Sequence, residues 1–383
     1  MVTIIQHPSA VSFAGNPVLL IASSSLSNKT FLKICAEVAV SVYQKETLID
    51  TVTIPLSLPT SGSGQGITFD LSNPLLSALS QVTIERNVLI EGTGMSETGG
   101  YVEYSVKCWD EYLNEEAEVV SSKDSAAQSE TRVAIPGAYT DLQRLLKPED
   151  TESFLGREKI LSNKPDFEAI PVGGKLVVPM FCVNRRFETV YMDTTLGKNA
   201  VGNHNLYANQ VSWTTLTIPE TTEQGEHSLL WAGMDVPPFF FYAVPEQPYA
   251  AYFEFVNRLG AVESIYTYGR AVRKSSIKSE RQVRKHSTSF RPNARYVKRV
   301  LLEGESLEFS TGPVSREWAQ WFVSEFFASE HTWMYSEKAG CMVPVIIECE
   351  EDMEVFNETE SEVLDLKFTV TRCINEGNST RYI

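Results

Sequence analysis

The chain has 383 residues, 43% hydrophobic and 21% charged, a globular composition with room for two or three cores. Its formal net charge of −16 argues against general binding to nucleic acid. No apolar run approaches the roughly 18 residues of a helical membrane span, and MVTIIQHPSAVSF lacks the basic and long apolar regions of a secretion signal, so the chain is expected in a cytoplasm or in a particle assembled there.

Residues 31–43 (FLKICAEVAVSVY) alternate. Leu32, Ile34, Ala36, Val38, Val40 and Val42 face one way, and Lys33, Glu37 and Ser41 the other, which predicts a long half-buried strand. LIDTVTIPL at 48–56 reads as its partner, and SLPTSGSGQG at 57–66 as a turn. ITFDLSNPLLSALS at 67–80 reads as a strand and then a helical turn after Asn73-Pro74. Residues 101–108 alternate again, with Val102, Tyr104, Val106 and Cys108 on one face. This set predicts a first β-sandwich, placed at 1–130. The small polar run at 114–131 (NEEAEVVSSKDSAAQSET) reads as a loop or linker, and YTDLQRLL at 139–146 as a short helix.

A second β-sandwich is expected over 131–270. Its strands are KLVVPMFCV (175–183), NQVSWTTLTI (209–218), the aromatic tract PPFFFYAVPEQPYAAYFEF (237–255), and a turn and strand in NRLGAVESIYTYGR (257–270). Residues 270–300 then carry eleven basic side chains against one acidic, Glu280. Arg273, Lys274, Arg281, Arg284 and Lys285 head this set, whereas 303–383 is strongly acidic. Opposite blocks so close in sequence suggest contact within the fold or between subunits, or else two solvated faces of a ribbon. The basic segment lacks the aromatic ladder of a single-strand nucleic-acid groove.

The last region, 271–383, predicts a small α+β domain with one helix on an antiparallel sheet. Ser315 is a good N-cap, with Glu317 in the first turn. Trp318, Trp321, Phe322 and Phe326 share one helical face, widened by Phe327, and the helix is expected to end near Ala328. Strands follow at 332–335, at 342–350 and in VLDLKFTVTR at 363–372, where Leu364, Leu366, Phe368 and Val370 alternate with polar residues.

Motifs for chemistry are missing. The sequence has no HExxH, GxSxG, Walker loop or GxGxxG. The histidines (His7, His204, His227, His286, His331) are scattered and read as surface or loop residues. The six cysteines form no CxxC pair and read chiefly as reduced core thiols. The sequons at Asn28, Asn357 and Asn378 read as chance matches. No catalytic residue, metal ligand or cofactor is expected. A glycosidase carboxylate pair needs nearness in space rather than in sequence, so spacing does not speak to one.

Several phrases across the chain resemble a family of tail-tip and baseplate structural proteins of Bacteroidota phages and prophages. They are VSFAGNPVLLIASS (11–24), FDLSNPLLSAL (69–79), EKILSNKPDFEAIPVGGKLVVPMF (158–181), YFEFVNRLGAVESIYTYG (252–269), and the closing STGPVSREWAQWFVSEFFAS with VPVII and LDLKFTV. The resemblance implies a multidomain β protein assembled in copies at the distal end of a tail, with no catalytic residues. The first expectation is therefore a virion protein, assembled in the host cytoplasm. Its partners would be itself, as a ring or multimer, and other tail proteins, with nucleic acid not a primary partner. The alternative is a carbohydrate-binding or adhesin module, with Trp213, Trp231 and the Phe239–Phe241 run as glycan contacts.

Overall fold

The computed structural model describes residues 1–82, 84, 86, 96–138, 155, 158–194, 197–283, 296–337, 339–349 and 363–373. Side chains are described for these except at 96, 98, 194, 274–283 and 296–305. The protein is mainly β, and its described residues divide into six sheets. Two compact units are present: Met1–Glu85, Ile90–Pro245 and Val256–Ser264 form the first, and Arg86–Leu89, Glu246–Phe255 and Ile265–Ile383 the second. The helix expected at 139–146 lies outside the described residues.

The first unit opens with β1 (Val2–Gln6), β2 (Val11–Phe13), β3 (Leu19–Ser24), β4 (Thr30–Gln44), β5 (Thr47–Pro59), β6 (Gly66–Asp70), helix α1 (Ser72–Leu79), β7 (Ser96–Thr98), β8 (Tyr101–Leu113), β9 (Val119–Ser121), β10 (Ala127–Gln128) and β11 (Arg132–Ile135). One sheet runs β1-β3-β6 and another β2-β11-β8-β4-β5. Alternation is obeyed: Ile34, Ala36, Val38, Val40 and Val42 of β4 and Val102, Tyr104, Val106 and Cys108 of β8 share one core with Leu20, Ala22 and Phe69 of the smaller sheet. Each large apolar side chain so buried contributes about 1.5–3 kcal/mol by transfer. Helix α1 adds Leu75, Ala78 and Leu79 to this core. Its entry is fixed by Asp70, whose Oδ1 accepts from Ser72 N (3.0 Å) and Val18 N (3.2 Å).

The run at 114–131 departs from the loop reading. The side of β8 away from β4 pairs with three short pieces in turn: β11 at 102–104, β10 at 107–108 and β9 at 111–113. Serine hydroxyls bridge the gaps, Ser129 Oγ accepting from Val106 N (2.9 Å) and Ser122 Oγ from Asp110 N (3.0 Å). A buried strand must satisfy its backbone groups, and small serine-rich pieces do so without adding bulk.

The unit continues with β12 (Lys159–Ile160), β13 (Glu168–Pro171), β14 (Lys175–Cys182), β15 (Arg186–Thr194), β16 (Gly197–Leu206), β17 (Gln210–Thr217), β18 (Gly225–Trp231) and β19 (Phe239–Val244). The sheets run β12-β14-β17-β7 and β13-β19-β18-β15-β16. From Leu176 to Cys182 every side chain of β14 is buried, which is why KLVVPMFC reads as a continuous apolar run rather than an alternation. The boundary expected at 130/131 falls inside this unit, and strands cross it both ways: β11 joins the sheet of β8, and β7 joins that of β17. Phe13, Tyr101 and Ile135 accordingly share a core with Val177, Phe181, Val211 and Trp213.

Leu259, Ala261 and Val262 complete that core. They follow a turn organised by Asn257, whose Oδ1 accepts from Ala261 N (3.0 Å) while Nδ2 donates to Leu161 O (2.8 Å) and Glu263 Oε2 (2.9 Å). Glu263 also accepts from Ser162 Oγ. The buried Lys164 ammonium meets Glu168 Oε2 (2.8 Å) and Ser264 O. Gly260, at φ +76°, lies where a Cβ would strike the Pro136 carbonyl carbon at 2.5 Å.

The remaining elements are β20 (Ala251–Val256) and β21 (Val262–Thr267), which belong to the second unit up to Phe255 and from Ile265, and, wholly in the second unit, β22 (Val272–Val283), β23 (Tyr296–Ser310), β24 (Val314–Ser315), helix α2 (Arg316–Trp321), a π-helical turn (Phe322–Phe326), β25 (Thr332–Ser336), β26 (Cys341–Cys349), β27 (Val363–Leu364) and β28 (Lys367–Arg372). Its main sheet runs β21-β20-β25-β26-β28-β23-β22, and β24 pairs with β27. The boundary expected at 270/271 falls within this unit. The aromatic tract at 237–255 is two strands, β19 and β20, rather than one, with Pro245 and Pro248 between them.

The helix carries its expected stripe. Ser315 Oγ accepts from Trp318 N (3.4 Å), and Trp321, Phe322 and Phe326 are buried with Phe253, Phe255, Phe309 and Phe368. The difference lies in its second half, which widens into a π turn marked by Phe327 N donating to Phe322 O (2.8 Å). The extra residue in the turn lets both Phe326 and Phe327 meet Phe368, at 5.8 and 5.2 Å between ring centroids.

Candidate assembly interface

The described strands of the basic segment, β22 and the start of β23, pair as a two-stranded ribbon. Strand β28 pairs with β23 only from Ser306 to Ser310, so residues 296–305 of β23 pair with β22 alone among the described strands. At about 3.3 Å per residue, the ribbon runs roughly 30 Å past the sheet that anchors it.

The anchor is well built. Leu307 and Phe309 lie on the core side of β23, opposite Val370 and Phe368. Where β23 turns toward α2, Asp365 interrupts the expected strand at 363–372: its Oδ1 accepts from Ser310 Oγ and from Gly312 N (3.1 Å). Thr311 and Leu366 exchange two hydrogen bonds, Thr311 N to Leu366 O (2.9 Å) and Leu366 N to Thr311 Oγ1 (3.1 Å). Leu366 is buried even though the strand breaks there, so the alternation survives the interruption.

Register sorts the charges along the ribbon. Near the anchor, Val272 is opposite Glu308, Arg273 opposite Leu307, Lys274 opposite Ser306, Ser275 opposite Glu305 and Ile277 opposite Glu303. Toward the far end the acidic residues give way. Lys278 is opposite Leu302, Glu280 opposite Arg299, and Arg281 opposite Lys298. A bulge at Leu301 shifts the register between Lys278 and Ser279. Of the five basic residues singled out from sequence, Arg273 is exposed, and Lys274 and Arg281 hold these positions on β22. Arg284 and Lys285 lie outside the described residues.

The structure corrects the glycan-contact residues. Trp213 is 1% exposed and donates through Nε1 to Glu97 Oε2 (3.0 Å); Trp231 is 5% exposed and donates to His204 Nδ1 (3.4 Å). Neither indole face is open, because both rings fill the interior of the first unit. The Phe239–Phe241 run splits by strand alternation, with Phe241 buried and Phe240 outward. The aromatics that do reach the surface together are Phe167, Phe240 and Tyr242, at 5.3–5.6 Å between centroids. Phe167, in a run that carried only the family resemblance, gave no signal of its own in the sequence.

Two histidines expected at the surface are buried. His204 is fully enclosed on β16, and burial pushes its imidazole down to about 3. His227 has Nε2 at 2.7 Å from Glu223 O. Cys35 and Cys108 are buried neighbours on β4 and β8, and desolvation raises their thiols to about 11 and 12; Cys349, at the end of β26, is exposed rather than a core thiol. Among the described residues, no helix is long and apolar enough to cross a membrane.

No protein-family model matches the chain, and no curated protein matches it. Among solved structures it is similar to a crystal structure of CBD12 from CALX1.2, with 8% identity, 60% of this chain and 79% of that chain covered, and a TM-score of 0.17, too low to carry any argument.

Proposed function

We propose that this chain is a structural component of a phage tail tip, baseplate or related tail assembly, and that it works by binding copies of itself and neighbouring tail proteins. In this reading the sheet pairs of the first unit are β-sandwiches of immunoglobulin or fibronectin kind, the second unit is an α+β docking domain, and no step of chemistry is involved. The ribbon of β22 and β23 carries the reading. A two-stranded ribbon is marginal alone in water, and residues 296–305 of this one pair with β22 alone among the described strands. That cost is relieved when a neighbour covers the ribbon, and the basic excess of 270–300 favours an anionic one. The strongly acidic remainder of the chain makes another copy such a neighbour, and the resemblance to tail proteins points the same way.

Charge reversal tests this directly. Arg281→Glu with Arg284→Glu weakens self-association, or binding to co-expressed tail neighbours, by roughly tenfold or more at about 0.05 M salt, and by less at about 0.5 M where charges are screened. Light scattering of the full chain reads the effect. Association indifferent both to the substitutions and to salt would sink the ribbon as an interface.

A further inference from the structure

We propose that the ribbon of one copy docks on the acidic segment 350–362 of the next copy, a head-to-tail contact between opposite ends of the second unit. This rests on the assembly reading and names the partner segment for the ribbon.

Strand polarity places the two charge blocks. Strand β23 runs from Tyr296 on the ribbon to Ser310 at the anchor, and β28 pairs with it from Lys367, opposite Ser310, to Thr371, opposite Ser306. Strand β26 pairs with β28 in turn, Val345 opposite Arg372 and Cys349 opposite Phe368. Cys349, where β26 ends, is therefore level with Phe309, and the ribbon leaves the sheet at the other end. Beyond segment 350–362 the chain returns at Val363, opposite Ser315, and Leu366 bonds Thr311, both past Ser310 and away from the ribbon. The thirteen residues between Cys349 and Val363 carry seven acidic side chains and no basic one, the densest acidic run of the sequence.

The ribbon changes character along its length. Level with Val272–Ile277, β23 supplies Glu308, Glu305 and Glu303. Farther out, residues 278–299 hold eight basic side chains against one acidic, Glu280. The acidic segment of the same chain is tethered too far away to supply their counter-charge. From the level of Phe309 out to Lys298 the strand covers roughly 35 Å, at about 3.3 Å per residue. Thirteen residues tied at Cys349 and Val363 reach out and back at most about 25 Å, at about 3.3–3.6 Å per residue. A second copy brings the same segment without that tether.

Charge and placement together choose this occupant. A dense run of like charge repels itself, and so does a row of cations on a narrow ribbon, so docking relieves both blocks at once. Two ribbons laid together would instead set cation against cation. Because the blocks lie at opposite ends of the sheet, filling one leaves the other free for a further copy. The contact therefore repeats, and closes as a ring or runs on as a filament.

The test separates the two blocks and then recombines them. A ribbon variant carries Arg281→Gln, Lys298→Gln and Arg299→Gln, and an acid variant carries Glu350→Gln, Glu351→Gln, Asp352→Asn and Glu354→Gln. Full chains are followed by sedimentation velocity over about 1–100 µM at about 0.05 M salt. Wild type is expected to form species larger than dimers, and each variant alone to associate at least roughly tenfold more weakly with its melting temperature unchanged. An equal mixture is expected to recover association but to stop at the pair, because one partner lacks a working ribbon and the other a working acidic segment. Salt at about 0.5 M disperses wild type and mixture alike. A peptide of residues 348–362, in excess, dissociates wild type with no substitution at all. A wild-type chain that stays monomeric, a mixture no better than its components, or a peptide without effect overturns the proposal. An acid variant that associates as wild type does, while the ribbon variant fails, refutes this partner and leaves the ribbon as an interface with another. Weakening by the acid changes alone sinks both readings of the ribbon.

Discussion

His204 shows how much one buried residue hides from sequence. Nothing about AVGNHNL distinguishes it from a surface histidine, yet it is enclosed on β16 and accepts from Trp231. Its imidazole stays neutral to about pH 3 because burial penalises the charged form. An unfolded chain has an ordinary histidine near 6.5 and takes up a proton that the folded chain refuses, so stability is lost as pH falls from about 6.5 toward 3. Wild type should lose roughly 2 kcal/mol more than His204→Gln between pH 7 and pH 5 in urea unfolding. Equal losses in the two proteins would show that His204 is protonated without penalty. Asn257 is the converse case. The phrase VNRLG marked a turn in the sequence, but which groups the amide would bind, Leu161 and Glu263, depends on residues far away in the chain.

Elements were legible wherever one periodicity ruled. The alternation in 31–43 predicted β4, which runs Thr30–Gln44, and the stripe from Trp318 to Phe326 predicted the inner face of the closing helix. Sequence reading failed where a tertiary demand overrode local pattern. Serine-rich 114–131 became edge pieces because β8 needed partners, and Asp365 broke a strand because the β23 turn needed an acceptor. The edge strand β5 shows sequence managing a hazard. Pro55 and Pro59 stand an even number of residues apart, opposite Glu37 and Lys33, so both lack an N–H on the same side of the strand. Thr60 N donates to Leu32 O of β4 (3.0 Å), so the alternate positions 55 and 59 turn their nitrogens away from β4, toward the edge, which is blunted against strand addition. Pro55→Thr restores a donor there. It should change the unfolding free energy by at most about 1 kcal/mol while raising the rate of sedimentable aggregate at high concentration. Aggregation equal to wild type would mean that the prolines protect nothing.

At the scale of the whole molecule, neither compact unit is a continuous stretch of chain. The first needs Val256–Ser264, and the second needs Arg86, whose Nε meets the buried Glu254 Oε2 at 2.5 Å. A three-domain division drawn along the sequence could not show this, because it takes each domain as one continuous stretch. A chain ended at residue 245 lacks Leu259, Ala261 and Val262 from its core and leaves the Lys164 ammonium without the Ser264 carbonyl. It should melt at least roughly 5 °C below a chain ended at residue 270, given about 2–4 °C per kcal/mol in a domain of this size. Equal melting temperatures would mean that the closing segment adds no stability.

The same interleaving sets an order in time. The Asn257 turn is the last piece of the first unit to be synthesised, and it arrives only after the chain has supplied residues 246–255 to the second. At synthesis rates of about 5–20 residues per second, the nearly finished first unit waits for its closing segment with part of its aromatic core uncovered. Completion of that unit is thus tied to the passage of Ser264 from the ribosome, and a pause in translation just before that point would lengthen the interval in which it is open to chaperones and to aggregation.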